Sequence, residues 1–186
     1  LVLGGSLGSA RMNSFILDNL EKILGEFQIY HQVGAANLEE TKKMAGQILM
    51  GREEALQNRY KVAGYFDTVG MRDAFCAADV VISRSGASAI YEIAAFGRPS
   101  ILIPLEESAN GHQRSNGYEY AKTGAAVVIE EGNFKPNILM IKLRNILGDQ
   151  SNLARMQEAA RGFYRPNAAG DIARGVFEIT GAKVSK

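Results

Sequence analysis

Short apolar runs alternate along the chain with longer segments in which apolar residues recur at helical spacing. Turns that contain glycine separate the runs from these segments and mark their ends. The apolar runs predict six strands, at residues 1–4, 27–32, 61–66, 79–83, 100–104 and 125–130. Because strands and helices alternate, we expect a Rossmann-like α/β fold, with a parallel six-stranded sheet and helices on both faces.

The helical pattern is clearest after the first strand, where one apolar stripe comprises Met12, Phe15, Ile16, Leu20, Ile23 and Leu24. Residues 37–59 form a longer and more polar helical stretch, which we expect to break at Gly46 and Gly51. Ser151 is predicted to cap a helix at 153–163. The other predicted helices are a short one ending at residue 78 and those at 87–96, 113–122, 136–147 and 168–180.

Length and composition indicate one domain. The chain has 186 residues, 46% of them hydrophobic and 22% charged, which is enough for one well-packed core. With a net charge of +1 and scattered basic residues, we expect no nucleic acid partner. The single Cys76 excludes an internal disulfide, and His31 and His112 are too few for a zinc site.

Hydropathy and the start of the chain bear on location. No apolar run approaches the about 20 residues that span a bilayer, and no signal peptide precedes Leu1, so we expect a cytoplasmic location. The chain starts directly on a strand and without Met, which we interpret as the start of a fragment.

The segment Arg84-Ser85-Gly86-Ala87 is the most informative motif, because it joins a buried strand directly to an alanine-rich helix. The free backbone N–H groups and the positive dipole end of such a helix suit a diphosphate. Glu92 follows about one and a half turns later, where a carboxylate accepts hydrogen bonds from both hydroxyls of a ribose. The alternative is an ordinary strand–turn–helix with a solvated Glu92.

A second candidate is the glycine-rich turn at residues 4–9, which follows the first strand and precedes a helix. Gly5 and Gly8 let the backbone approach a phosphate, and Ser6 offers a hydroxyl donor. The turn matches neither the dinucleotide fingerprint nor the P-loop. Such turns also occur where no ligand binds.

Neutral polar residues at 110–116 form a third candidate. His112, Gln113 and Asn116 fall within about one helical turn, and amide groups that donate and accept together suit sugar hydroxyls. The alternative is helix capping by Asn110 with a solvated first turn. A general base at His112 ranks lower, because no carboxylate at a nearby spacing orients it.

Taken in order, these segments resemble the carboxyl-terminal domain of the MurG family, the bacterial N-acetylglucosaminyl transferases of peptidoglycan precursor synthesis. The resemblance covers nearly the whole chain. It rests on the glycine turn at 4–11, His31-Gln32-x-Gly34, the segment 78–87 with Glu92, Gly97-x-Pro99 with Pro104, and His112-Gln113-x-x-Asn116 leading to Gly124-Ala125-Ala126.

The resemblance implies a two-domain glycosyltransferase of the GT-B type, with residues 1–186 as the domain that binds UDP-N-acetylglucosamine. Ser6 and its glycine neighbours would meet the diphosphate, and Glu92 the ribose. Gln113, His112 and Asn116 would contact the N-acetylglucosamine. Backbone groups near Phe66 would hold uracil, while Arg84 would either stabilise the departing diphosphate or anchor its loop. No cofactor and no metal are expected, because helix N-termini neutralise diphosphate charge.

The resemblance also implies that a missing amino-terminal domain supplies the catalytic base, the contact with the lipid-linked muramyl acceptor and the contact with the membrane. The whole enzyme would then work in the cytoplasm, at the inner face of the cell membrane. The helical tail at 167–181 would pack toward that missing domain.

Three alternatives remain open at this stage. One is the donor-binding subunit of another transferase, such as the eukaryotic dolichyl-diphosphate N-acetylglucosamine transferase. Another is a UDP-sugar epimerase, which needs additional acid–base residues. The third is a nucleotide-binding regulatory domain without catalysis.

Overall fold

The computed structural model describes residues 1–5, 8–106 and 111–180. Its sheet comprises β1 (Val2–Leu3), β2 (Ile29–Gln32), β3 (Tyr60–Ala63), β4 (Val81–Ser83), β5 (Ser100–Leu102) and β6 (Ala126–Val128). Every pair of neighbouring strands is parallel, and the order across the sheet is β3-β2-β1-β4-β5-β6. The order reverses between β1 and β4, which is where doubly wound sheets open a crevice.

The described residues form ten α-helices and two short 3-10 helices, at Ala35–Asn37 and Glu131–Asn133. The α-helices are α1 (Ala10–Asp18), α2 (Leu20–Leu24), α3 (Leu38–Ile48), α4 (Glu54–Gln57), α5 (Thr68–Ala77), α6 (Ala87–Ala95), α7 (His112–Lys122), α8 (Pro136–Leu147), α9 (Gln150–Phe163) and α10 (Ala168–Thr180). None of the described helices is long and apolar enough to cross a membrane.

The helices cover both faces of the sheet, as the alternation of elements predicts. Alternate strand residues point to opposite sides, so that Val2 and Ile82 pack in one hydrophobic cluster and Leu3 and Val81 in the other. Helices α1, α2, α3 and α8 contribute to the first cluster, and α5, α6 and α7 to the second. The predicted Rossmann-like fold is confirmed.

Several predicted boundaries are wrong. The first apolar stripe spans two helices, because Asn19 ends α1 and its side-chain amide donates to the carbonyl of Phe15 at 2.8 Å. In the stretch at 37–59, Gly46 lies inside α3 without breaking it, since the buried face around Ala45 holds the helix. The break falls after Ile48, and Gly51 supplies the positive φ of +76° that the turn requires.

The cap of α9 is also corrected. The helix begins at Gln150, and its N-cap is Asp149, whose carboxylate accepts from the backbone N–H groups of Ser151 and Asn152 at 2.9 and 3.2 Å. Ser151 therefore lies within the first turn. The positive end of the helix dipole also stabilises a carboxylate at this position.

The last helix, α10, has 13 residues and none of them is buried, whereas each of the other helices longer than four residues buries at least two. Its larger apolar side chains are all exposed, namely Ile172, Val176, Phe177 and Ile179. The rest of the described chain places its large apolar side chains mainly in the two clusters on the sheet.

Candidate functional site

A cleft of about 700 Å³ opens at the carboxyl ends of the central strands β1, β4 and β5. It lies at the point where the strand order reverses. Ligands of doubly wound sheets collect at this position. Its lining residues are Gly4, Gly5, Gly8, Ser9, Ala10, Arg11, Ser83, Arg84, Gly86, Ala87, Ser88, Ala89, Leu105, Glu106, Gln113 and Glu131.

The described residues of the glycine turn, Gly4, Gly5, Gly8 and Ser9, line the cleft. Gly5 and Gly8 both have positive φ, at +87° and +78°, a conformation that L side chains rarely adopt. A Cβ on Gly8 would lie 2.0 Å from the carbonyl oxygen of Val33, so the turn packs directly on the end of β2. Ser9 caps α1, and its hydroxyl accepts from the N–H of Met12 at 3.4 Å. Ser6, predicted as a diphosphate ligand, lies outside the described residues.

The start of α6 forms the opposite wall. Gly86 is its N-cap, and the backbone at Ala87, Ser88 and Ala89 lines the cleft. The first N–H groups of a helix have no partner within the helix. Ser85 is fully buried, and its hydroxyl donates to the carbonyl of Gln113 at 2.7 Å. Its side chain therefore joins α6 to α7 beneath the cleft.

Two helix N-termini thus face one cleft. Both α1 and α6 start within its lining, and each carries a partial positive charge at that end. An anionic group with several oxygens is the ligand that such a pair of helix ends stabilises. Two arginines, Arg11 and Arg84, also line the cleft.

Arg84 is largely buried and ties four segments together. Its guanidinium donates to the carbonyl of Ile103 at 3.2 Å, to the hydroxyl of Ser9 at 3.0 Å and to Glu131 at 2.6 Å. The Glu131 carboxylate also accepts weakly from the N–H of Glu106 at 3.4 Å. These contacts favour the interpretation that Arg84 anchors its loop.

Glu131 also forms an ion pair with a second arginine. Arg11, which is exposed at the start of α1, lies 3.2 Å from the Glu131 carboxylate, whose side chain is only 3% exposed. Burial by itself raises the pKa of this carboxyl. The hydrogen bond and charge of Arg84, with the N–H of Glu106 and the charge of Arg11, outweigh that effect and hold the pKa of Glu131 below its ordinary value. Glu131 is therefore ionised at neutral pH and orders both guanidinium groups.

The residues predicted for the sugar lie at the start of α7. Gln113 lines the cleft, and its side-chain oxygen accepts from the N–H of Leu105 at 3.1 Å. His112 is exposed and Asn116 half-buried, and neither is part of the lining. The predicted cap Asn110 lies outside the described residues, and the residue that precedes α7 is Gly111, with a φ of +67°.

The residues predicted for the nucleoside, Glu92 and Phe66, are not part of the cleft lining. Glu92 is an exposed residue of α6 outside the lining, and partial desolvation of its carboxyl raises its pKa. Phe66 is buried just beyond β3, which ends at Ala63 and not at residue 66 as predicted. Its ring makes an edge contact with Tyr30, at 4.7 Å between centroids.

Of the predicted residues, the cleft brings together Gly5, Gly8, Arg84, Gly86, Ala87 and Gln113. Three residues to which the sequence analysis assigned no role also hold this edge of the sheet. Arg11 and Gln32 belong to the motifs that carry the resemblance, whereas Glu131 was missed altogether. Two of them have a sequence signal, since Gln32 and Glu131 directly end or closely follow a strand at the carboxyl edge. Their partners lie far away along the chain, which the sequence does not reveal.

The fold and the cleft define the class of the protein. A doubly wound parallel sheet whose switch-point crevice is bordered by two helix N-termini defines a Rossmann-type domain. The sequence matches the family described as the glycosyltransferase family 28 C-terminal domain over residues 1–172. The chain therefore belongs to this family.

Two curated relatives carry the name UDP-N-acetylglucosamine–N-acetylmuramyl-(pentapeptide) pyrophosphoryl-undecaprenol N-acetylglucosamine transferase. The relative from Treponema denticola is 35% identical over 154 residues, covering 82% of this chain and 39% of its own length. The relative from Lawsonia intracellularis is 34% identical over 187 residues, covering 100% of this chain and 49% of its own length. The chain thus spans about half the length of these relatives, or less.

Solved structures agree on the fold. The crystal structure of Acinetobacter baumannii MurG matches with a TM-score of 0.76 and 24% identity, covering 95% of this chain and 48% of that one. A putative UDP-N-acetylglucosamine 2-epimerase from Listeria monocytogenes matches with a TM-score of 0.65 and 14% identity, covering 96% and 43%. The predicted architecture, the carboxyl-terminal half of a GT-B glycosyltransferase, is confirmed.

Proposed function

We propose that this chain is the donor-binding domain of an inverting hexosyltransferase and that it binds UDP-N-acetylglucosamine. In the whole protein, the reaction would add N-acetylglucosamine to a lipid-linked N-acetylmuramyl-pentapeptide, as the names of the relatives indicate. The observation that carries the proposal is the cleft at the switch point of the sheet, onto which the N-termini of α1 and α6 open.

The diphosphate would lie between these two helix ends. The backbone N–H groups at 87–89 are donors at the start of α6 that have no partner within the helix. On the other side of the cleft, Gly5 and Gly8 have positive φ and no side chains, so their backbone can approach a phosphate closely. Arg11 and Arg84 lie in the same cleft, where Glu131, which pairs with both, offsets part of their charge. Because backbone N–H groups and helix dipoles already stabilise a diphosphate here, we expect binding without a divalent metal.

The remaining donor groups are assigned by the family resemblance. Glu92 would accept hydrogen bonds from the ribose hydroxyls, and backbone groups near Phe66 would hold uracil. Gln113 would contact the N-acetylglucosamine together with His112 and Asn116. The position of Gln113 in the lining supports this assignment, since the sugar must extend from the diphosphate along the cleft.

The acceptor, the catalytic base and the membrane contact would belong to a further domain at the cytoplasmic face of the membrane. Proximity and general-base catalysis contribute several orders of magnitude to a rate, so this chain alone should turn over little. The exposed apolar side chains of α10, such as Ile172 and Phe177, support the proposal that residues 167–181 pack against that domain.

Two variants test where the donor binds. We expect Glu92→Ala to weaken the binding of both UDP and UDP-N-acetylglucosamine by about 1–3 kcal/mol, because it removes a charged acceptor from the two ribose hydroxyls. Gln113→Ala should weaken the binding of UDP-N-acetylglucosamine and leave the affinity for UDP unchanged. Calorimetric titration in the presence of EDTA measures all four affinities and also tests the independence from metal.

The matched control is Glu119→Ala, which removes an exposed carboxylate from the outer part of α7. It should leave both affinities unchanged. The assignment of Glu92 fails if that variant binds UDP within twofold of the unchanged chain. A chain that binds ADP as well as UDP would favour a general nucleotide-binding domain.

A further inference from the structure

Gln32 is a buried amide that joins two loops at the edge of the cleft. It is the last residue of β2, and its side chain is 2% exposed. Its side-chain oxygen accepts from the backbone N–H of Phe66 at 2.9 Å, and its side-chain nitrogen donates to the carbonyl of Gly5 at 3.4 Å. The first hydrogen bond is strong and the second weak.

The place of β2 in the sheet explains this bridge. Strand β2 lies between β1 and β3, and Gln32 pairs in register with Leu3 on one side and Ala63 on the other. Both neighbouring strands continue into loops at this level, one through Gly5 and the other through Phe66. A side chain at the end of the middle strand therefore reaches both loops.

The two contacts require opposite hydrogen-bonding roles. A carbonyl needs a donor and an N–H needs an acceptor, and a side-chain amide supplies one of each. A carboxylate offers no donor, and an apolar side chain would leave the buried N–H of Phe66 unpaired. Hydrogen bonding therefore favours glutamine at this buried position, in addition to the size of the side chain.

We propose that Gln32 is a positioning residue that fixes the loop after β3 relative to the glycine turn. The inference rests on the proposed function, in which the first loop holds the base of a nucleoside diphosphate and the second holds its phosphates. By orienting the peptide group of Phe66, Gln32 sets where the base edge meets the backbone. It contributes to base selectivity without touching the ligand.

The test uses Gln32→Met, which keeps the length but removes both hydrogen bonds, and Gln32→Asn, which keeps the amide but is too short to reach both loops. Affinities for UDP, ADP and inorganic pyrophosphate are measured on the whole chain by calorimetry or NMR titration. Gln28→Met is the matched control, because Gln28 is an exposed residue just before the opposite end of β2.

We expect both Gln32 variants to lose about tenfold in UDP affinity and to discriminate less between UDP and ADP, with pyrophosphate affinity within twofold. A residue with a merely structural role would lower the unfolding free energy and leave the selectivity unchanged. The inference is overturned if the folded variants keep the ratio of UDP affinity to ADP affinity. It is also overturned if the affinities for UDP and pyrophosphate fall by the same factor. Failure of the unchanged chain to bind UDP would instead refute the proposed function.

Discussion

The two positive-φ glycines of the cleft allow a matched substitution test. Gly8→Ala and Gly5→Ala place the same methyl group on the same turn, at φ values of +78° and +87°. The left-handed conformation costs an L residue about 1–2 kcal/mol in either case. Any difference between the variants therefore reports the space around each Cβ.

That space differs sharply. A Cβ on Gly8 would lie 2.0 Å from the Val33 carbonyl oxygen, whereas nothing lies within 4 Å of one on Gly5. Since carbon and oxygen approach to about 3.3 Å at closest, the turn at Gly8 must shift by about 1.3 Å. The same carbonyl accepts from the side-chain amides of Asn13 and Asn37 at 2.9 and 2.8 Å. Disturbing both hydrogen bonds adds about 1–3 kcal/mol.

We therefore expect Gly8→Ala to lower the free energy of unfolding by about 2–5 kcal/mol and Gly5→Ala by about 1–2 kcal/mol. Urea denaturation followed by circular dichroism measures both values. Equal destabilisation of the two variants would refute the argument that the glycine turn packs on the end of β2.

Two further predictions concern stability. Burial is the main cause that lowers the pKa of His31 to about 3. Because the unfolded chain takes up the proton at a higher pH than the folded chain, the free energy of unfolding falls as the pH drops from about 6.5 toward 3. Between pH 7 and 5 the unchanged chain should lose about 2 kcal/mol of unfolding free energy relative to His31→Gln in urea denaturation, and an identical pH dependence of the two proteins would contradict this. Because Asp149 caps α9, Asp149→Ala should lower the free energy of unfolding by about 1 kcal/mol, and Ser151→Ala should lower it clearly less. If thermal or urea unfolding shows the larger loss for Ser151→Ala, Ser151 is the cap instead.

The sequence predicts the fold well because the fold depends on local patterns. Each apolar run marks a strand, and the helix that opens at Ala87 follows from the strand, the glycine and the alanine-rich segment around it. Boundaries are less predictable. The apolar pattern continues to Phe66, but β3 ends at Ala63, since the backbone leaves the sheet where β2 also ends.

The contacts that organise the cleft are mostly long-range, and the sequence gives no indication of them. Arg84 and Glu131 are 47 positions apart, and Gln32 and Phe66 are 34 positions apart. Each pair meets only because parallel strands end at a common edge of the sheet. The local pattern around Glu131 does not distinguish it from a solvated carboxylate.

A crystal structure of the chain with UDP-N-acetylglucosamine would show directly whether the donor binds in the cleft at the start of α6. We expect diphosphate oxygens about 2.7–3.2 Å from the backbone nitrogens at 87–89, with the uridine directed toward Glu92 and Phe66. A second cavity, of about 520 Å³, lies at the opposite edge of the sheet near Val80 and Ile29. Donor bound in that second cavity, or a diphosphate that makes no contact with the start of α6, would rule out the proposed donor site.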